Sequence, residues 1–196
     1  MVDPSLAPPV RAALGPVVTE RLDLRRFELS DAQELAEVFA KPEVWTFPYG
    51  RGFDRSETED FVRRQLEHWD ALGFGCWVAR ARDTGAVIGF VGLSVPTFLP
   101  EILPAVEVGW RFDPAVWGRG LASEGAGAAL REGFGTLGLD EICSLPQSAN
   151  GRSWLVCERL GMRFERTVMC PATDRRGAVE AHVYRLTARD WADAAD

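Results

Sequence analysis

The first third of the chain alternates between two spacings of apolar residues. Residues 21–27 alternate apolar and polar side chains with a period of two, which predicts a half-buried strand. Residues 30–40 and 54–73 instead repeat apolar residues at helical spacing, which predicts two amphipathic helices. The side chains expected to face the core are Leu35, Val38 and Phe39 in the first helix and Phe61, Leu66 and Trp69 in the second.

The middle of the chain contains three apolar runs separated by turn-forming residues. Residues 75–83, 86–95 and 105–112 predict three strands of an antiparallel meander. An aromatic loop at 42–50 connects the two helices, and a proline-rich loop at 96–104 precedes the third strand of the meander.

Helical and strand-like segments alternate in the remaining part. The pattern predicts helices at 118–135 and 151–160, a strand at 141–146, and apolar stretches near 162–170 and 180–186. Residues 1–17 are rich in proline and alanine and predict a flexible N-terminal arm. Residues 18–196 are expected to form a single domain, since a chain of this size can bury one substantial core.

The composition excludes several classes of function. A net charge of −7 argues against nonspecific binding to nucleic acid or an anionic membrane and favours a cationic partner. The four cysteines form no C-x-x-C pair and the two histidines are far apart, so we expect neither a metal site nor disulfides. No apolar run has the length of a membrane span and no signal peptide is evident, which predicts a cytoplasmic protein.

Small residues occur where the strand at 105–112 gives way to a helix. Gly118, Gly120, Ala122 and Ser123 would leave backbone N–H groups accessible beside the positive end of the helix dipole. Such a turn can bind an anion such as a pyrophosphate. The alternative is that small residues only allow tight packing of the helix on the sheet, and the turn by itself leaves both interpretations open.

Two segments, 107–130 and 148–162, resemble the GNAT superfamily of acyl-CoA-dependent N-acyltransferases. The similarity is strongest to the branch that includes the bacterial ribosomal-protein N-terminal acetyltransferases, and it extends from about Val18 to about Trp191. The family pattern Arg/Gln-x-x-Gly-x-Gly/Ala falls on residues 117–122, with Trp117 in place of Arg or Gln. A later Asn-x-x-Ser pattern matches Asn150 and Ser153.

The resemblance implies a three-layer α+β fold with a central, mostly antiparallel sheet between helices on both faces. The sheet would be splayed between its fourth and fifth strands, and acetyl-CoA, used as cosubstrate without a metal, would enter the gap. Backbone groups of Trp110 and Phe112 would pair with the pantetheine arm, and Asn150 would contact that arm or cap the following helix. The residues implied in cofactor binding are Trp110, Phe112, Trp117, Gly118, Arg119, Gly120, Leu121, Ala122, Asn150 and Ser153.

The reaction implied by the resemblance is attack of an amine on a thioester. Glu107 is the candidate base, the alternative being a residue of a structural salt bridge. A backbone amide within 108–110 would polarise the carbonyl. Cys157, at the position of a tyrosine in many relatives, and Ser153 or Ser144 are candidate acids for the leaving thiolate; Cys157 is alternatively an inert core residue, and the thiolate could leave without an acid.

The acceptor is expected to be a peptide N-terminus or a small amine. Trp45, Phe47 and Tyr49, together with the loop 96–104, are candidates for its binding surface, although these aromatic residues could instead fix the loop to the core. Apolar residues of this loop and of the segment 183–186 predict a homodimer. The alternatives are a noncatalytic acyl-CoA-binding module and, less favoured, a dinucleotide-binding enzyme, which would carry its glycine turn near the first strand.

Overall fold

The computed structural model describes residues 3–173 and 175–194 and contains one eight-stranded sheet. Along the sheet the first six strands lie in chain order, followed by β8 and then β7 at the edge. The strands are β1 (Val17–Val18), β2 (Leu22–Arg25), β3 (Cys76–Ala81), β4 (Val87–Ser94), β5 (Glu107–Phe112), β6 (Glu141–Ser144), β7 (Arg163–Cys170) and β8 (Val179–Thr187).

Within the described residues, six α-helical segments accompany the sheet. They are α1 (Asp31–Phe39), the single turn α2 (Thr46–Tyr49), α3 (Arg55–Leu72), α4 (Leu121–Gly135), α5 (Gly151–Arg159) and α6 (Ala188–Asp193). The helix predicted over 118–135 begins three residues later, at Leu121, because Gly120 adopts a left-handed conformation at its start. The other predicted helices agree with the structure to within one or two residues at each end.

Every neighbouring pair of strands is antiparallel except β5 and β6. These two parallel strands pair only through Glu107 and Cys143, where the Cys143 amide donates to the Val106 carbonyl at 2.9 Å. The remaining length of β5 has no strand partner on this side among the described residues. The predicted splay of the sheet is therefore confirmed. It was expected between the fourth and fifth strands and lies between β5 and β6, because the short strand β1 shifts the numbering of the later strands by one.

Two apolar clusters cover the two faces of the sheet. One face packs against α4 and α5 through residues such as Val91, Val108 and Leu130. The other packs against α1 and α3 through residues such as Val78 and Phe39. Helices therefore lie on both faces, which confirms the three-layer α+β fold.

The N-terminal segment, predicted to be a flexible arm, packs against the domain where the structure describes it; Met1 and Val2 lie outside the described residues. Leu14 is buried in the first apolar cluster and its amide donates to the Gly73 carbonyl at 2.8 Å. The buried indole of Trp77 donates to the Gly15 carbonyl at 3.0 Å. Apolar residues between the prolines thus pack this segment against the core, which its composition alone did not indicate.

The surfaces on which the homodimer prediction was based are only partly exposed. In the segment 183–186, Val183, Tyr184 and Leu186 are buried, because β8 is an interior strand. The loop 96–104 buries Leu99 and Ile102 but leaves Phe98 36% exposed. Dimerisation stays a prediction, and only the loop offers it an exposed apolar side chain.

Within the ranges that the structure describes, none of the helices combines the length and apolarity needed to cross a bilayer.

Candidate active site

Two cavities meet at the point where β5 and β6 separate. The large cleft, about 990 Å³, lies between β5, the turn at 117–120, and α5. The small cavity, about 320 Å³, lies beside the N-terminal half of β5 and the aromatic segment 45–49. Both are lined by Phe47, Trp110, Arg111, Asn150 and Ser153. A molecule extended along the large cleft can therefore reach a second molecule in the small cavity.

The glycines of the turn before α4 border open space. Gly118 and Gly120 have φ of +74° and +79°, a conformation that other residues adopt only at a cost. A Cβ added to Gly118 would meet no atom within 4 Å, and at Gly120 only the end of the Arg21 side chain lies that near. Close helix packing is instead served by Gly133, where a Cβ would lie 2.5 Å from Ile142. The turn glycines therefore leave room for a ligand rather than for the sheet.

The turn is attached to β2 by a network of hydrogen bonds around Glu124. This carboxylate, in the first turn of α4, accepts hydrogen bonds from the Thr19 hydroxyl at 2.6 Å and from the Arg21 amide at 2.7 Å and Nε at 2.6 Å. Arg21 also donates from Nη1 to the Arg119 carbonyl at 2.7 Å. Burial would raise the pKa of Glu124, but the hydrogen bonds from Thr19 and Arg21 outweigh it and lower the pKa. The backbone of the turn is held in place before any ligand binds.

The free edge of β5 presents backbone groups to the large cleft. The Val106 and Val108 carbonyls point away from β4, since they accept hydrogen bonds from the Cys143 amide and from the Ser144 hydroxyl, the latter at 3.0 Å. By the alternation of an antiparallel strand, the backbone groups of Trp110 point the same way. The Phe112 carbonyl, on the same edge, accepts a hydrogen bond from the Trp117 indole at 2.8 Å, and pairing of Phe112 with the pantetheine arm stays a prediction.

Besides Arg111 of β5, the positive charges that line the large cleft come from α5. The predicted Arg119 is exposed and does not line the cleft, whereas Arg152 and Arg159 do. Arg152 lies over the Trp117 ring, 5.1 Å from its centroid. Sequence reasoning missed both of these arginines; their seven-residue spacing, which places them on one face of a helix, was the available signal.

Glu107 lines the small cavity beside the cleft. Burial raises the pKa of this carboxyl to about 7, and a hydrogen bond from the Leu145 amide and the charge of Arg111 only partly oppose that effect. No cation lies within ion-pair distance of Glu107 among the described residues, so a structural salt bridge is not what holds it there. A carboxylate with this pKa can accept a proton near neutral pH.

The candidate acids differ in location. Ser153 lines both cavities; its amide donates to the Asn150 side chain at 3.4 Å, so Asn150 caps α5 and also lines both cavities. Ser144 is buried and lines the small cavity. Cys157 is fully buried, lines neither cavity, and has its pKa raised by burial to about 12. It lies one helical turn beyond Ser153 in α5.

The aromatic segment both packs into the core and lines the small cavity. Trp45 is buried, stacks on Phe53 with centroids 3.9 Å apart, and also lines the small cavity. Phe47 and Tyr49 are partly exposed and line the same cavity. From the loop 96–104, Phe98 also lines it.

The described part of the chain contains no group of three or more His, Cys, Asp or Glu residues that could hold a metal ion. All four cysteines are free thiols and buried.

Comparison with known proteins identifies the arrangement. Residues 21–163 match the family model described as an acetyltransferase (GNAT) domain. The chain is 31% identical over 153 residues to the protein YkkB of Bacillus subtilis (strain 168), covering 78% of this chain and 87% of YkkB. It is 34% identical over 151 residues to the FsC-acetyl coenzyme A-N(2)-transacetylase of Aspergillus fumigatus, covering 71% and 63%. The crystal structure of an acetyltransferase from Agrobacterium tumefaciens superposes with a TM-score of 0.71 at 27% identity, covering 90% and 96%.

Proposed function

Since this chain belongs to the GNAT acetyltransferase family and is an acetyl-CoA-dependent acetyltransferase, we propose that it transfers the acetyl group to a primary amine by direct attack in a ternary complex. The observation that carries the proposal is the meeting of the two cavities at Trp110, with Glu107 on the side of the small cavity. Acetyl-CoA would occupy the large cleft and the amine the small cavity.

The residues of the large cleft fit a long, anionic cosubstrate. The open space beside Gly118 and Gly120 leaves their amides accessible to a pyrophosphate at the start of α4. Arg152 and Arg159 add positive charge along the same cleft. The free backbone groups of Trp110 can pair with the amide groups of a pantetheine arm as an added strand would.

Acetyl-CoA, when bound, supplies a thioester carbonyl that is reactive toward amines. Glu107 would accept the proton of the amine, directly or through a water, because its raised pKa makes it a base near neutral pH. A backbone amide of β5 within 108–110 would donate a hydrogen bond toward the carbonyl oxygen, where negative charge develops. The Ser153 hydroxyl would donate a hydrogen bond to the departing thiolate, a role for which Cys157 is too deeply buried.

The finer parts of the proposal rest on resemblance. The name of the Aspergillus relative refers to transfer to a nitrogen atom, which supports an amine acceptor here. Membership in the ribosomal-protein branch, a peptide N-terminus as acceptor and a homodimer are proposed from the sequence motifs. A cytoplasmic location is consistent with four free thiols, since such thiols persist in reducing compartments.

The experiment is a kinetic assay of purified protein with acetyl-CoA and a panel of primary amines and N-terminal peptides. Release of free thiol together with an acetylated amine of the expected mass is the predicted result. Varying both substrates should give intersecting double-reciprocal plots, as direct transfer in a ternary complex requires. Parallel plots and a protein that gains the mass of an acetyl group would instead indicate a covalent intermediate. Binding of acetyl-CoA without turnover of any acceptor would favour a noncatalytic acyl-CoA-binding module.

A further inference from the structure

Among the described residues, the small cavity is lined by more positive than negative side chains. The charged ones are Glu107, Arg111 and Arg176. Whereas the whole chain carries a net charge of −7, the described lining contains two guanidinium groups and one carboxyl group. The charge of this described lining is therefore opposite in sign to that of the protein.

The Arg111 guanidinium is partly buried and has no carboxylate partner among the described residues. It donates to the Val44 carbonyl at 2.7 Å and lies 4.1 Å from the centroid of the Trp45 ring. Among the residues that the structure describes, no Asp or Glu lies within ion-pair distance of it, and burial lowers its pKa to about 10. A cation removed from water is stabilised when an anion binds beside it.

Further hydrogen-bond donors in the same cavity lack acceptors. The indole N–H of Trp45 and the side-chain Nε2 of Gln147 are buried and have no partner in the described part of the chain. Both residues line the small cavity. Arg176 donates from a single guanidinium nitrogen to the Pro171 and Gly177 carbonyls, so within the described residues other donors of its five have no acceptor.

We propose that the acceptor is a primary amine that carries an anionic oxygen group, a carboxylate or a phosphate, in the same molecule. This inference rests on the proposed function, which places the acceptor in the small cavity. The amine would face Glu107, and the anionic group would accept hydrogen bonds from Arg111 and Arg176. Glu107 and Arg111 are four residues apart on one face of β5, about 13 Å between their Cα atoms, so the acceptor's two groups need some separation.

The test compares acceptors matched in everything but the anionic group. One series pairs glycine, β-alanine and 5-aminopentanoate with methylamine, ethylamine and butylamine; a second pairs O-phosphoethanolamine with ethanolamine, and a third pairs L-phenylalanine with 2-phenylethylamine. The expected result is a kcat/KM at least about 10-fold higher for the anionic member of a pair, the size of one charged hydrogen bond. The carboxylate and phosphate series show which of the two groups is preferred.

Two variants and a matched control test which arginine distinguishes anionic from neutral amines. Arg176→Gln, in the loop between β7 and β8, should bring the ratio of anionic to neutral kcat/KM toward one, and Arg111→Gln should do the same if it folds. Arg175→Gln removes the same charge one residue away, at a position that does not line the cavity, and should preserve the ratio. The KM for acetyl-CoA should remain near that of the wild type in Arg176→Gln, because Arg176 does not line the large cleft.

Failure of this inference can be distinguished from failure of the proposed function. Turnover of neutral and anionic amines at equal kcat/KM, or a ratio preserved in both Arg176→Gln and Arg111→Gln, would overturn the inference while amine acetylation stands. If no amine is acetylated, calorimetry can still test the inference by measuring the affinity of each member of the same pairs for the complex of the protein with coenzyme A. Tighter binding of the anionic members would support the inference without the proposed function, and equal binding would overturn it.

Discussion

Glu124 accepts hydrogen bonds from both the backbone amide and the Nε of Arg21, at 2.7 and 2.6 Å, and so joins the first turn of α4 to the start of β2. The same arginine holds the Arg119 carbonyl of the preceding turn. Glu124 therefore positions the backbone to which the pyrophosphate is proposed to bind, although it has no assigned contact with the ligand.

Glu124→Gln should weaken coenzyme A binding several-fold and lower the free energy of unfolding by about 1 kcal/mol, since the charge-assisted hydrogen bonds are lost from a partly exposed site. Calorimetry and urea unfolding measure the two effects. Glu20→Gln, the same change at an exposed neighbouring residue, is the control. A Glu124→Gln protein with unchanged coenzyme A affinity would show that the turn does not depend on this network.

Gly120→Ala should cost about 1–2 kcal/mol of stability, because alanine pays to adopt positive φ, and should also raise the Kd for coenzyme A. Gly161→Ala is a matched control: Gly161 also has φ of +79° and open space around its Cα, but it follows α5 and does not line the large cleft. The control should lose similar stability and bind coenzyme A normally. Equal Kd values in the two variants would argue against ligand binding at the turn.

Arg152→Gln should raise the Kd for coenzyme A by roughly 10-fold, as expected for loss of one hydrogen bond to a charged group, and the effect should shrink at high salt. Arg119→Gln should have much less effect, since Arg119 does not line the cleft. Measuring dephospho-coenzyme A in parallel identifies the phosphate that Arg152 contacts. A larger loss in Arg119→Gln than in Arg152→Gln would contradict the assignment from the structure.

Glu107 gives an expected pH dependence for both rate and stability. As a base with a pKa near 7, it should make kcat/KM rise as the pH increases through about 7. Glu107→Gln should no longer show this rise in kcat/KM near pH 7, and its rate at neutral pH should be lower by about 10²–10⁴-fold. The rate should recover partly at high pH, where more of the amine is deprotonated. Its affinity for acetyl-CoA should be close to that of the wild type.

The free energy of unfolding should fall with rising pH because of Glu107, whereas a carboxylate in a salt bridge would make it rise. Because burial raises the pKa of Glu107, the folded state holds this proton more tightly than the unfolded state does, and the free energy of unfolding falls as the pH rises from about 4.5 to about 7. Glu107→Gln should remove that part of the fall and be the more stable protein above pH 7. Greater instability of the variant at pH 8, with full activity, would show that Glu107 is structural.

The parts of the site that could be predicted from sequence are those fixed by the backbone. The strand that ends at Phe112, the glycine turn and the start of α4 follow in sequence, so their relative positions are largely determined by local geometry. Placing Glu107 at the splay required the family resemblance, because the pairing of β5 with β6 joins segments more than thirty residues apart.

The parts that could not be predicted depend on where side chains point. Arg119 precedes a residue with positive φ, and that bend directs its side chain away from the cleft although its neighbours line it. Arg152 could have faced solvent or the cleft until the position of α5 was known. The net charge of the chain did not predict the positive lining of the small cavity, because a sum over all residues does not show where two arginines lie.

The turn glycines also limit which mutations the gene can tolerate. Every single-base missense change in a glycine codon introduces a side chain, and asparagine, which accepts left-handed backbone comparatively well, is not one base away from any glycine codon. Aspartate can be reached but would add negative charge beside the proposed pyrophosphate site. At Gly118 and Gly120, therefore, no single-nucleotide missense change gives a residue that is equivalent to glycine.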